Sequence, residues 1–231
     1  MDIILVPGLW LDSSSWEAVT PALTRAGHTA HPLTLPGLGV PAPASESIGI
    51  ADWVDAVVAE IDALEGDVVL VGHSGGGNVV WGAADARPNR VARVVFVDAV
   101  PPPPGRGISE FDVVDGVVPF PGWDSFDAPD VADLDAATRE TWAARTGSVP
   151  ARVPTDPIHL GDERRRTVPV TILSGNANEE EFRAELANWG PWADEFEAIE
   201  DAEIIRLGSG HWPQFSQPDA LARAIIAAVE R

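Results

Sequence analysis

The stretch Val68-Val69-Leu70-Val71-Gly72-His73-Ser74-Gly75-Gly76-Gly77-Asn78-Val79-Val80-Trp81 decides how this chain is read. Four apolar residues of high β-propensity predict a short buried strand, the glycines a sharp turn, and the residues from Val79 a helix. Strand, turn and helix in that order form the repeating unit of a parallel sheet covered by helices, and the rest of the chain keeps the rhythm. Short runs rich in Val and Ile stand at Ile3 to Val6, Val91 to Val97, Val168 to Leu173 and Ile204 to Leu207, with a weaker one near Thr29 to Leu33. Between them Ile50, Trp53, Val54, Val57, Val58, Ile61 and Leu64 recur at helical spacing, which gives one apolar stripe to lay on the sheet. Pro218 opens a last helix with Leu221, Ala224, Ile225, Ala228 and Val229 on its inner face. The expected fold class is α/β: a mostly parallel open sheet with helices on both faces, in a single domain of 231 residues.

One region breaks the rhythm. From Pro101 to about Thr167 no strand pattern is visible, four consecutive prolines open the segment, and Gly, Pro and Asp are frequent. Phe111, Phe120, Trp123 and Phe126 argue against a disordered linker, and roughly Asp130 to Arg145 reads as a helix. The expectation is a small lid, residues 101–167, inserted before the penultimate strand.

Composition narrows the function. All 15 basic residues are Arg, against 36 acids, for a net charge of −21; a phosphate backbone or an anionic membrane would be repelled. With no Cys, disulfides, thiolate metal sites and cysteine nucleophiles are excluded. No stretch reaches the roughly 18 to 20 apolar residues of a membrane span, and Met1-Asp2-Ile3 lacks the basic region of a signal peptide. An acidic cytoplasmic protein is expected. The acidity suits a high-salt habitat, and it equally suits a G+C-rich genome that replaces Lys with Arg.

The chemistry starts at Gly72-His73-Ser74-Gly75-Gly76, a G-x-S-x-G between strand and helix. Small neighbours permit a strained turn that lifts the Ser74 hydroxyl clear of the sheet, and the helix N-terminus behind it favours developing negative charge. A phosphate-binding loop would want a Lys before the Ser/Thr, and the chain has none. A hydroxyl nucleophile needs a base within hydrogen-bond reach. Of five histidines, His211 follows the strand Ile204 to Leu207 in Gly208-Ser209-Gly210-His211-Trp212-Pro213, a loop at the carboxyl edge of the sheet where open α/β folds place ligands. His28, His31 and His159 read as structural, as does His73, packed beneath the nucleophile. Their spacing matches no zinc motif, so neither metal nor cofactor is expected.

On these residues the chain resembles the α/β-hydrolase fold superfamily, close to its small esterase and hydroxynitrile-lyase-like branch. The likeness runs from Val6-Pro7-Gly8-Leu9-Trp10 through Leu35-Pro36-Gly37-Leu38-Gly39 and the Ser74 turn to Gly210-His211-Trp212, and is weakest across 101–167. It implies an oxyanion hole of two backbone amides, Leu9 and Gly75. The family usually has His-Gly where this chain has Pro7-Gly8. Many relatives carry the triad acid in a Gly-x-x-Asp after the strand that follows the lid; here that stretch is Gly175-Asn176-Ala177-Asn178. Other members carry it one strand earlier, which maps to Asp98. One of Glu179 to Glu181, or no acid at all, stays open beside it. An acid matters because it holds the base in the right tautomer and stabilises its cation.

The resemblance implies a serine hydrolase acting on a small or medium carboxylic ester, thioester or lactone, with Ser74, His211 and Asp98 as its triad. Trp10, Trp123 and Trp212 are candidate walls of the substrate pocket. Two other readings stand beside it: a relative that cleaves C–C bonds or cyanohydrins, and a non-catalytic small-molecule binder on the same fold. The oligomeric state is not legible.

Overall fold

A computed structural model describes residues 1–231. Six strands form one wholly parallel sheet, in the order β2 (Thr29–Pro32), β1 (Asp2–Val6), β3 (Val68–His73), β4 (Val91–Val97), β7 (Val170–Ser174) and β8 (Ala202–Arg206). The chain lays β2 on one side of β1 and every later strand of the sheet on the other. The carboxyl ends of β1 and β3 therefore flank a switch point, where a parallel sheet leaves a crevice.

Alternation along the strands explains why both faces are covered. Ile4, Leu70, Phe96 and Ile172 point to one face, packed under the helices Ile50–Ala63 and Gly76–Ala86. Ile3, Leu5, Val71, Val95 and Leu173 point to the other, under Thr20–Arg25 and Pro218–Val229. Each such side chain is wholly shielded from solvent, a burial that stabilises by roughly 1.5 to 3 kcal/mol per side chain.

Between β4 and β7 runs an insertion that departs from expectation in two ways. It contains a small antiparallel pair, β5 (Val117–Val118) with β6 (Val149–Pro150), too short to leave a periodic trace in the sequence. The single helix expected over Asp130 to Arg145 is two, Ala128–Val131 and Ala136–Ala143. The break is local chemistry: Asp135 turns extended and its side chain accepts the Thr138 N–H at 2.7 Å, capping a new helix.

The end of the insertion is anchored in the body. Arg165, 2% exposed, ion-pairs with the equally buried Glu195 and with Asp85 at 2.8 and 3.1 Å. The Trp81 Nε1–H also donates to Glu195 at 3.0 Å. Burial opposes the Glu195 charge, but bonds from Arg165, Arg166 and Trp81 hold its carboxyl below the usual value.

Candidate active site

At the end of β3 the backbone turns so tightly that two glycines are fixed by contact alone. A Cβ on Gly72 would stand 2.6 Å from the Gly76 carbonyl oxygen, and one on Gly76 would stand 2.5 and 2.7 Å from the carbonyl oxygens of Pro7 and Val6. The helix Gly76–Ala86 thereby starts directly against the ends of β1 and β3. Ser74 sits at the apex with φ +50°, a left-handed conformation that costs a non-glycine residue of order 1 to 3 kcal/mol and is typical of functional turns.

The loop after β8 brings His211 to the same edge. Its Nε2 lies 2.9 Å from Ser74 Oγ and its Nδ1 2.6 Å from Asp98 Oδ2. A carboxylate only accepts, so the Nδ1 proton donates to Asp98, which leaves Nε2 to accept the Ser74 O–H. Asp98 follows β4, the neighbour of β3, and also holds a left-handed φ of +45°. Its second oxygen accepts the Gly175 N–H at 2.9 Å. Burial alone would raise this carboxyl; the His211 hydrogen bond and charge, with the Gly175 N–H, outweigh it and hold Asp98 ionised below its ordinary range.

The alternative acids lie elsewhere in role. Asn178 and Glu181 form a reciprocal cap on the helix Glu179–Leu186, Asn178 accepting the Glu181 N–H at 3.0 Å and Glu181 accepting the Asn178 N–H at 2.9 Å. Glu179 pairs with Arg183 one helical turn on.

Leu9 and Gly75 are both buried, and their chains meet where a Cβ on Gly75 would lie 3.1 Å from Leu9 Cγ. No backbone carbonyl accepts either N–H. Buried backbone donors are nearly always paired; these two, in residues that line the same cavity as Ser74, are free to donate to a bound group. Gly8 presses on the turn from the β1 side, its missing Cβ 2.8 Å from His73 Nδ1.

His73 does more than pack. It is fully buried, and desolvation, aided by the nearby His211, pushes it down to about 3, so it is neutral. Its Nε2–H donates to the His211 carbonyl at 2.7 Å, and its Nδ1 accepts from Gln214 Nε2 at 3.2 Å. Nothing in the sequence pointed to Gln214.

A cavity of about 560 Å³ opens over Ser74. Trp10 and Trp212 line it; Trp123 is not among the lining side chains, and its ring stands edge-on to Trp212 at 5.0 Å. Ile108, Phe111, Phe126, Trp189 and Trp192 are the other large apolar side chains in the lining, beside Leu9, Ala99 and Val100. No periodicity marks them, because their place depends on how the insertion and the segment around Trp189 and the helix Pro191–Glu197 come together. No cluster of three His, Asp or Glu side chains that could hold a metal ion is present, and no helix is long and apolar enough to cross a membrane.

A hydroxyl on a strand-turn-helix, an imidazole and a partly buried carboxylate thus lie in hydrogen-bonded series at the carboxyl edge of a switch-point sheet. Over residues 3–224 the sequence matches the alpha/beta hydrolase family, and the chain belongs to it. It is similar to the pimeloyl-[acyl-carrier protein] methyl ester esterase of Aromatoleum aromaticum, at 32% identity over 79% of this chain and 65% of that protein. It is also similar to a carbendazim hydrolyzing esterase of a Nocardioides species, at 34% identity over 46% of this chain and 45% of that one. Among solved structures, an extracellular alpha/beta-hydrolase from a Paenibacillus species shares the fold, with a TM-score of 0.78 and 19% identity over 99% of this chain and 98% of the other. The matched region thus spans about half to two thirds of those curated relatives.

Proposed function

We propose that this protein is a cofactor-free serine hydrolase that cleaves a small or medium carboxylic ester, thioester or lactone through an acyl-enzyme. The observation that carries the reading is the unbroken series Ser74 Oγ, His211 Nε2, His211 Nδ1, Asp98 Oδ2, with links of 2.9 and 2.6 Å. Ser74 attacks the carbonyl carbon while His211 takes its proton, and Asp98 steadies the imidazolium. The carbonyl oxygen gains charge between the Leu9 and Gly75 N–H groups, each donor of this kind being worth about 3 to 4 kcal/mol in the transition state. His211 then protonates the leaving alcohol, thiol or ring oxygen. Water, deprotonated by the same imidazole, releases the acid.

The lining supports an apolar substrate. Among the side chains around the cavity the only ionisable ones are Asp98, His73 and His211, and an apolar pocket with a few convergent polar groups suits an uncharged ester. Residues 101–167 serve as the lid of a single domain in this reading, and a cytoplasmic location rests on composition. The esterase names of the relatives agree with the reaction type. A panel of p-nitrophenyl esters, thioesters and lactones assayed on wild type beside Ser74→Ala tests it: at least one class should be hydrolysed by wild type alone. Equal rates in the two proteins for every substrate would reject it.

A further inference from the structure

We propose that residues 123–135 of the insertion are a strut that sets the position of His211, with Trp123 and Asp133 as positioning residues. The inference rests on His211 being the general base.

The loop that carries His211 has Gly208 at φ +71° and Gly210 directly before the histidine, and its start is tied to the sheet edge by the Gly208 and Ser209 N–H groups, which donate to the Gly175 carbonyl at 2.7 and 3.0 Å. Both backbone groups of His211 itself are engaged from outside the loop. Its N–H donates to the Asp130 carbonyl at 2.8 Å, and its carbonyl accepts from His73 at 2.7 Å. The preceding Gly210 N–H donates to Asp133 Oδ2 at 2.8 Å. A methyl at Gly210 would overlap the Asp130 carbonyl oxygen and Asp133 Oδ1, so insertion and loop touch with no space between.

Packing repeats the pattern on the other side of the histidine. The Trp212 ring stands edge-on to Trp123 at 5.0 Å, to Phe126 at 4.7 Å and to the His211 ring at 4.7 Å. Trp212 shares a small core with Leu11, Val131 and Leu134 that is separate from the two cores on the sheet. Trp123 is itself tied down, its Nε1–H donating to the Arg139 carbonyl at 2.8 Å. The turn around Ser74 holds His211 by its carbonyl, through His73, and the strut holds it by its N–H. Swinging this part of the insertion away would break the His211 N–H bond and pull on Trp212. It therefore does not open as a lid while the base is in place, and access falls to the edge near Ile108 and Trp189, where Trp189 is 45% exposed.

The test compares Trp123→Ala, Asp133→Ala, Asp133→Asn, His211→Ala and the control Asp124→Ala, an exposed neighbour without side-chain bonds. Readouts are kcat and KM on esters of several chain lengths, the rate of Ser74 labelling by a fluorophosphonate, and the far-downfield NMR signal of the His211 Nδ1 proton. A base displaced by a fraction of an ångström acts in acylation whatever the acyl group. Trp123→Ala and Asp133→Ala should therefore lower kcat and labelling together, on the order of 10-fold, equally for all chain lengths and with KM little changed. Both should shift or broaden the downfield signal. Asp133→Asn keeps an acceptor for Gly210 and should recover most of the rate; Asp124→Ala should match wild type. Wild-type labelling in both alanine variants, or a loss confined to KM or to some chain lengths, would overturn the strut. If Trp123→Ala does not fold, Asp133→Ala and the NMR signal decide. Full activity in His211→Ala would instead reject the base assignment itself.

Discussion

The turn around Ser74 and the insertion 101–167 differ in how far packing dictates glycine. At the turn, Gly72 and Gly76 exist because backbone atoms of neighbouring segments occupy the space of a side chain. In the insertion, Gly161 has nothing within 4 Å of where its Cβ would be. The turn is fixed by close packing within one short stretch and the end of β1; the insertion is held by contacts between distant segments, some backbone on backbone, as where a Cβ on Gly107 would stand 2.8 Å from the Pro154 carbonyl oxygen, and some through side chains to the body. The first can be read from a short motif. The second cannot, and it is hydrogen-bonded to the loop that carries His211.

The largest effect is expected at a residue between the two regions. Asp98 directly follows a core strand and stands three residues before the insertion. Asp98→Asn should lower kcat by about 10⁴-fold, as the equivalent change does in a serine protease, with KM nearly constant. Steady-state kinetics on one good substrate measures it, and retention of most activity would remove Asp98 from the triad.

His73 gives the next effect, in stability against pH. Its folded value of about 3 lies below the ordinary 6.5, so the unfolded chain binds a proton that the folded protein refuses. The stability it permits is complete above pH 6.5 and falls as pH drops from there toward 3, on the order of 1 kcal/mol per pH unit. In His73→Gln that slope should flatten in urea titrations between pH 6.5 and 4. An unchanged slope would mean that His73 is not buried neutral.

Gly76→Ala sharpens the contrast between the regions directly. The added methyl meets two backbone carbonyls that cannot rotate aside, and a loss of roughly 1 to 3 kcal/mol is expected. Gly161→Ala, with open space and no positive φ, should be neutral or stabilise by up to about 1 kcal/mol. Thermal unfolding of the two variants side by side checks the difference. Equal losses would deny it. The smallest effect belongs to Asn178→Ala: about 1 kcal/mol of stability from the lost cap, and no change in turnover.

What the sequence disclosed follows the same division. The run Val91 to Val97 is β4 residue for residue, and Ser74, His211 and Asp98 meet because parallel strands deliver their carboxyl ends to one edge. Periodicity carries that information. The insertion resisted for physical reasons: two-residue strands have no period, Asp135 restarts a helix that composition alone would continue, and Trp123 looks identical in sequence whether it lines a cavity or supports its wall. Asp133 and Gln214 carry no motif at all. Their roles arise from partners 77 and 141 residues away.

The most direct measurement is the intact mass of the protein after exposure to a fluorophosphonate, followed by peptide mapping. One adduct on wild type, located on Ser74 and absent from Ser74→Ala, is the expected result. It should come with loss of ester turnover in the variant by far more than 10³-fold, in the manner of other serine nucleophiles. A wild-type chain that stays unlabelled, or a Ser74→Ala variant that hydrolyses the same ester at the wild-type rate, would contradict the account.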